Sequence, residues 1–243
     1  MLFRSAVAII YGMHPTVMHE DSTLVSADFP AFARDCIPVP VVLYHTAPCG
    51  DQSPRHFVNG QTFAEAERLG RKLGEEVASK LAGVNYTDNP KLTGTIVTTD
   101  LPRRQLPSVA EAQALLAQRR LEFERAIDRP TKRTAEVAVF GAEAALRLAQ
   151  ADTAQVYAEI LPAEVQVLRI GEACVVGFPG EMFVDYALDL KRRAPVKTFI
   201  TAYTNGELQG YIVTPGAQGY EASSSLFAPA AGKVLVEIGR AHV

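Results

Sequence analysis

Ala173-Cys-Val-Val-Gly-Phe178 is an apolar run of strand-forming residues that ends in Pro179-Gly180-Glu181. Joined through Gly171-Glu172 to an earlier run from Val156 to Ile170, it predicts a β-hairpin whose second strand delivers Glu181 into a loop. A helix from Met182 to Arg193 is expected next, then the strand Lys197 to Tyr203, then a loop opening at Asn205. Strands that alternate with helices and end in polar loops specify an α/β fold with mixed sheets. Folds of that class carry their chemistry in those loops.

The same pattern holds upstream. Ala6 to Tyr11 and Pro38 to Tyr44 are short apolar runs that read as buried strands, one leading into Gly12-Met-His-Pro-Thr-Val17 and the other into Ala47-Pro-Cys-Gly50. Asp21 to Pro30 reads as a loop that gives way to a short helix over Phe29–Asp35. Thr62 to Gly83 is the clearest helix, with the capping box Thr62-x-x-Glu65 and the stripe Leu69, Leu73, Val77, Leu81. Thr93 to Thr99 alternates into a strand, Ser108-x-x-Glu111 caps a second helix reaching Ala126, and a third helix spans Thr131 to Ala149. These last two, rich in Ala, Glu, Arg and Gln, are expected to pack on an outer face rather than line a site. The predicted architecture is a layered α/β sandwich of mixed β-sheets flanked by helices, without internal repeats or low-complexity segments.

The 243 residues, 48% hydrophobic and 21% charged, suffice for a full core and read as one domain. A formal net charge of −3 with scattered Lys and Arg gives no electrostatic case for a nucleic-acid partner. No run approaches the roughly 18 apolar residues of a membrane span, because Ser5-Ala-Val-Ala-Ile-Ile10 is stopped by Gly12 and His14. The start lacks the long apolar centre of a signal peptide, so a soluble chain without a transmembrane segment is expected. Cys36, Cys49 and Cys174 are widely spaced and form no Cys-x-x-Cys pair, which argues for packing residues over a disulfide framework or a zinc knuckle.

Several loop residues have the chemistry of a site, each beside a plainer reading. His14 precedes Pro15, which bars the helical conformation and holds it in an extended turn, suited to a metal ligand or to a hydrogen-bonded structural histidine. Glu181 lies between a strand and a helix, where the helix amino end favours negative charge and Gly180 lets the backbone turn. It could equally be a helix-start carboxylate. Ser53, in Gly50-Asp-Gln-Ser-Pro-Arg55, lacks the Gly-x-Ser-x-Gly elbow of a serine hydrolase and suits a turn serine as well as a substrate contact. A serine hydrolase using Ser53 with His14 or His45 remains an alternative, and Asp51 and Arg55 could orient the loop by a charge pair. Tyr220, after Gly219 and before Glu221, lies on a segment too polar and small to be core, or is a packing aromatic. His19, His45 and His56 lie in or beside loops and show no His-Glu-x-x-His pattern.

Taken in order, His14-Pro-Thr, Ser26-Ala-Asp-Phe-Pro30, Gly50-Asp-Gln-Ser-Pro-Arg55, Pro179-Gly-Glu181 and Tyr211 through Tyr220-Glu-Ala resemble segments of the neutral ceramidase family, zinc-dependent amidases that cleave the N-acyl bond of sphingolipids. The likeness spans most of residues 8–230 and is weakest from 85 to 155. The resemblance implies Zn2+ held by His14, Glu181 and Tyr211, with Tyr220 the fallback because the Asn205 loop is one residue longer than in the animal enzymes. It further implies Ser53 facing the substrate headgroup, Tyr220 near the zinc, a ceramide-like N-acyl lipid as substrate, and an exported or membrane-associated setting. It also implies a missing upstream His-x-His segment that supplies another zinc ligand. A non-catalytic relative with a binding role is the alternative from another class.

The ends carry a separate expectation. Glu237-Ile-Gly-Arg-Ala-His-Val243 is what a common sequencing-adapter sequence encodes when read in frame, and Leu2-Phe-Arg-Ser5 is what its complementary end encodes. Residues 1–5 and 238–243 are therefore expected to be non-native, and 6–237 to be the C-terminal portion of a catalytic domain, inactive alone. His242 is set aside from any site on that ground.

Overall fold

The computed structural model describes residues 5–18, 22–158, 162–206 and 210–243. His19, Asp21, residues 2–4 of the adapter-like start and residues 207–209 of the Asn205 loop lie outside them. Strand β1 (Ala6–Tyr11) is followed by α1 (Asp28–Asp35) and β2 (Val41–Thr46), a 3-10 turn over Pro54–His56, and α2 (Phe63–Lys80). Next come β3 (Leu92–Thr99), α3 (Val109–Arg125), α4 (Arg129–Gln150) and the short α5 (Thr153–Ala158). The chain continues through β4 (Ala163–Ile170), β5 (Ala173–Gly177), the two-residue β6 (Glu181–Met182), α6 (Val184–Arg193) and β7 (Lys197–Thr201). It closes with the two-residue β8 (Tyr211–Ile212), α7 (Tyr220–Ser224) and α8 (Ala230–His242). The fold is α/β with mixed sheets, as the alternation of apolar runs and helical segments requires.

A four-stranded sheet in the order β3-β4-β5-β7 forms the centre. Its first three strands are antiparallel and β5 pairs β7 in parallel, with Val176 opposite Ile200. A parallel pair cannot be joined by a tight turn, and α6 is the crossover that makes it possible. Phe178, Met182, Leu190, Ile200, Ile212 and Leu235, all fully buried, join α6, α8 and the sheet into the main core. Burying one such side chain contributes about 1.5–3 kcal/mol.

A second layer holds β1 and β2, paired in parallel, against α1 and α2. Gly70 and Gly74, one helical turn apart on α2, let the backbone of α1 come into contact: a Cβ at Gly74 would overlap the Ala33 carbonyl and sit 2.8 Å from the Cys36 Cβ. Asp28, buried and at φ 55°, accepts from the Phe29 and Met18 amides at 2.7 Å each and so ties the loop after β1 to the start of α1. That is the structural role of the Ser26-to-Pro30 segment.

Several expectations change. The strand expected from Val156 begins at Ala163, because Asp152 accepts from the Ala154 amide at 2.9 Å and starts α5 instead. The reciprocal capping box is made at Ser108 but only half-made at Thr62, whose hydroxyl accepts from the Glu65 amide while the Glu65 carboxylate bonds Asn59 and Arg68. Helix α8 runs through the adapter-like residues to His242 and packs Gly239 against Phe178. His45 lies inside β2 opposite Ile10 rather than in a loop. The three cysteines are free, with Cys49 and Cys174 buried. Among the described residues no helix is long and apolar enough to cross a membrane.

The α1–α2 contact predicts that Gly74→Ala destabilises the chain by about 1–3 kcal/mol in urea denaturation, since backbone atoms cannot yield to the added methyl. Gly83→Ala, where nothing lies within 4 Å, should change stability by less than about 0.5 kcal/mol.

Candidate active site

Glu181 and Tyr211 are fixed relative to each other by backbone pairing. They are register partners in the parallel β6–β8 ladder, extended by Glu181 N–H donating to the Gly210 carbonyl at 3.1 Å and Phe183 N–H to Ile212 at 3.0 Å. Gly180, at φ 74°, makes the turn out of β5 that Glu181 requires. The 49–55 loop crosses this segment at van der Waals limit. Gly50 N–H donates to the Met182 carbonyl at 2.9 Å, and a Cβ on Gly50 would lie 2.5 Å from the Glu181 carbonyl oxygen.

The same loop carries His14. Its amide donates to the Gln52 carbonyl at 3.0 Å, and its Nε2 stands 3.6 Å from Glu181 Oε2. Burial holds the His14 pKa below its ordinary value, with Glu181, the Gly50 carbonyl and Glu221 acting in the opposite direction. Burial and the neighbouring Glu181 carboxylate also raise the Tyr211 phenol above its usual range, so it is neutral at physiological pH. Tyr220, the first residue of α7, packs its ring edge-on against Tyr211 with centroids 5.8 Å apart.

His14, Ser53, Glu181, Tyr211 and Tyr220 line one cleft of about 690 Å³ together with Arg55, Glu221 and residues of α4. All five sequence candidates therefore meet. Ser53 Oγ accepts from the Arg55 amide and Nε, both at 3.3 Å, which is the turn-capping geometry. The expected Asp51–Arg55 pair does not form: Asp51 accepts from the Val184 amide at the start of α6 at 2.9 Å, and Arg55 faces Glu221 at 3.7 Å. The helix-start carboxylate at this point is Asp51, supplied from a distant loop.

Two features escaped the sequence reading. Helix α4, expected on an outer face, lines the cleft through Arg133, Val137, Phe140, Glu143 and Arg147, because Gly141 lets it approach α7 until a Cβ would be 2.7 Å from Tyr220 Cα. An adjoining cleft of about 910 Å³ between Ser53, Arg55 and His56 on one side and Phe123, Ile127 and Val137 on the other extends the first. Tyr203 is the second omission. Its hydroxyl lies 3.2 Å from His14 Nδ1, 3.3 Å from Glu181 Oε2 and 3.9 Å from Cys49 Sγ. No motif flagged it, since it is the last residue of an expected strand.

A ceramidase complexed with C2 superposes with a TM-score of 0.64 at 14% identity, covering 96% of this chain and 44% of that one. Neutral ceramidase from Pseudomonas aeruginosa gives a TM-score of 0.60 at 16% identity, covering 96% and 43%. The chain shares the ceramidase fold. It spans less than half the length of either neighbour. No family model matches the sequence, and no curated protein matches it. At this identity the likeness concerns the fold, and the chemistry of the cleft rests on its own residues.

Burial and Glu181 act on the His14 pKa in opposite directions, which titration can read. A histidine whose folded pKa is lowered binds protons more weakly folded than unfolded, so its contribution to stability is lost as pH falls below about 6.5. Glu181→Gln removes the main opposing influence, so the His14 pKa should fall further, measured by NMR titration of its ring protons. A rise in that pKa would contradict the assignment.

Proposed function

We propose that this chain is the C-terminal portion of the catalytic domain of a neutral-ceramidase-like hydrolase, spanning residues 6–237, which cleaves the N-acyl amide bond of ceramide or a related lipid. The observation that carries the reading is the convergence of His14 Nε2 and Glu181 Oε2 beside Tyr211 at a cleft in this fold. Their 3.6 Å separation is longer than a hydrogen bond. It is close to the spacing of about 3.3–3.6 Å between two ligands of a tetrahedral zinc. A neutral imidazole and a carboxylate suit that ion, and Tyr211 would join them as a phenolate on losing its proton. Among the described residues no group of three His, Cys, Asp or Glu gathers to hold a metal, so the set is short of the usual strong donors. The remaining ligand is assigned to an upstream segment.

When held by His14 and Glu181 with Tyr211, a zinc ion would supply Lewis-acid activation of water and of the amide carbonyl. The residues of this chain do the rest. Tyr211 and Glu181 are held by the β6–β8 ladder, and the carboxylate orients what the imidazole meets. Tyr220 donates a hydrogen bond to the amide oxygen as it gains charge. Ser53, pinned by Arg55, faces the headgroup, and the adjoining cleft toward Phe123 and Ile127 receives apolar substrate. Ser53 as a nucleophile fits less well, since its hydroxyl is engaged by Arg55 while the His14 ring nitrogens face Tyr203 and Glu181. The half-exposed Val41 and Leu43 on the β1–β2 layer accord with further chain packing there in the whole protein. An exported or membrane-associated setting follows from the same reading.

The test is zinc titration by calorimetry on this chain and amide hydrolysis by the full reading frame. His14→Ala and Glu181→Ala should each weaken zinc binding, and each should lower hydrolysis by about 100-fold or more, as should a chelator. Turnover that survives the chelator, with a fluorophosphonate probe labelling Ser53, would move the assignment to a serine hydrolase. Zinc binding unaffected by either substitution would leave the non-catalytic reading.

A further inference from the structure

Tyr203 stands where three polar groups meet and belongs to none of the motifs that define the cleft. Its backbone lies in the left-handed region at φ 55°, a conformation that a tyrosine adopts only when its neighbours enforce it. They do so on both sides. The Ala202 amide donates to Thr46 at 2.8 Å, the Tyr203 amide to Gly180 at 3.3 Å and the Thr204 amide to Phe178 at 3.2 Å. Asn205 Nδ2 donates to the Gly177 carbonyl at 3.0 Å and the Glu164 carbonyl at 3.2 Å. The strained turn aims the phenol across the His14 ring, edge-on at 62° with centroids 6.3 Å apart.

The hydroxyl has one proton and two close partners. Glu181, when ionised, can only accept, whereas His14 Nδ1 can donate or accept according to its tautomer. If the phenol gave its proton to His14, its oxygen and Glu181 Oε2 would face each other at 3.3 Å with nothing between them. One arrangement satisfies both contacts: Tyr203 donates to Glu181, and His14 Nδ1–H donates to the Tyr203 oxygen. The neutral imidazole then has its lone pair on Nε2, the nitrogen that faces Glu181 Oε2 across 3.6 Å. Two acceptors opposed at that distance form a mouth for a cation.

We propose that Tyr203 is a positioning residue that fixes His14 as the Nδ1–H tautomer and turns its Nε2 lone pair, with Glu181 Oε2, toward a shared metal ion. This rests on the reading of His14 and Glu181 as zinc ligands, yet the tautomer is a property of the metal-free chain and fails separately. The raised pKa of the Tyr203 phenol, caused mainly by burial, keeps its proton available to Glu181.

The experiment is long-range proton–nitrogen correlation NMR on the chelator-treated chain with labelled histidine, at about pH 8, where a histidine is neutral. In the unsubstituted chain the His14 proton should be on Nδ1. In Tyr203→Phe, which removes only the hydroxyl that accepts it, the proton should no longer be confined to Nδ1. Zinc affinity of Tyr203→Phe should fall by about 10- to 100-fold, as for other groups that orient a ligand, with the circular dichroism melt retained. A proton on Nε2 in the unsubstituted chain overturns the proposal, as does a tautomer or an affinity that Tyr203→Phe leaves unchanged. Should Tyr203→Phe fail to fold, the tautomer of the unsubstituted chain decides. Zinc that binds His14→Ala and Glu181→Ala as tightly as the parent would remove the metal reading while leaving the tautomer result intact.

Discussion

Everything in the cleft depends on one backbone crossing, where Gly50 lies against Glu181 and Met182. The amide of Gly50 donates to Met182 at 2.9 Å, and no side chain could occupy the space, because its Cβ would lie 2.5 Å from the Glu181 carbonyl oxygen. From that point the geometry propagates in both directions. Gln52 receives the amide of His14, Asp51 receives the amide of Val184 at the start of α6, and Glu181 is register partner to Tyr211. Three loops from distant parts of the sequence are thereby joined through main-chain atoms. Main-chain bonds vary little in length, so the side chains above them are held without adjustable parts.

The electrostatics of the site follow from this packing. Loops drawn together around a carboxylate lose solvent, and for the buried imidazole, phenols and thiol the loss favours the neutral form. His14 is pushed down, and Tyr203 and Tyr211 are pushed up. Cys49, beneath them, is raised to about 11 for the same reason and is a packing thiol at neutral pH. Glu181, with its negative charge, is the counterweight for the imidazole and an added burden for the phenols. At the point where His14, Tyr203 and Tyr211 surround Glu181, one carboxylate faces an imidazole and two phenols, while Arg55 and Glu221 pair with each other at 3.7 Å along the same cleft.

The helices divide into scaffold and wall. α2 receives α1 through Gly70 and Gly74 and takes no part in the cleft, whereas α4 passes over α7 at Gly141 and supplies one side of it. Composition did not separate these cases, since both helices are rich in Ala, Glu and Arg. What separates them is which helix a glycine allows close to a functional segment.

Local physics explains what was legible. The sequence by itself determined that His14, Ser53, Glu181, Tyr211 and Tyr220 follow apolar runs or border tight turns, because hydrophobic runs, prolines and glycines act within a few residues. It likewise determined the α/β class, the helix starts at Thr62 and Ser108, and Gly180 as a turn position. It misplaced what depended on partners distant in sequence. Asp51 caps α6 rather than pairing with Arg55, which faces Glu221. Tyr203 looked like the end of a strand until folding brought His14, 189 residues away in sequence, against its hydroxyl. Only the tertiary structure decided that contact, because hydrogen bonds between distant loops are set by how their scaffolds pack, and packing is a property of the whole chain.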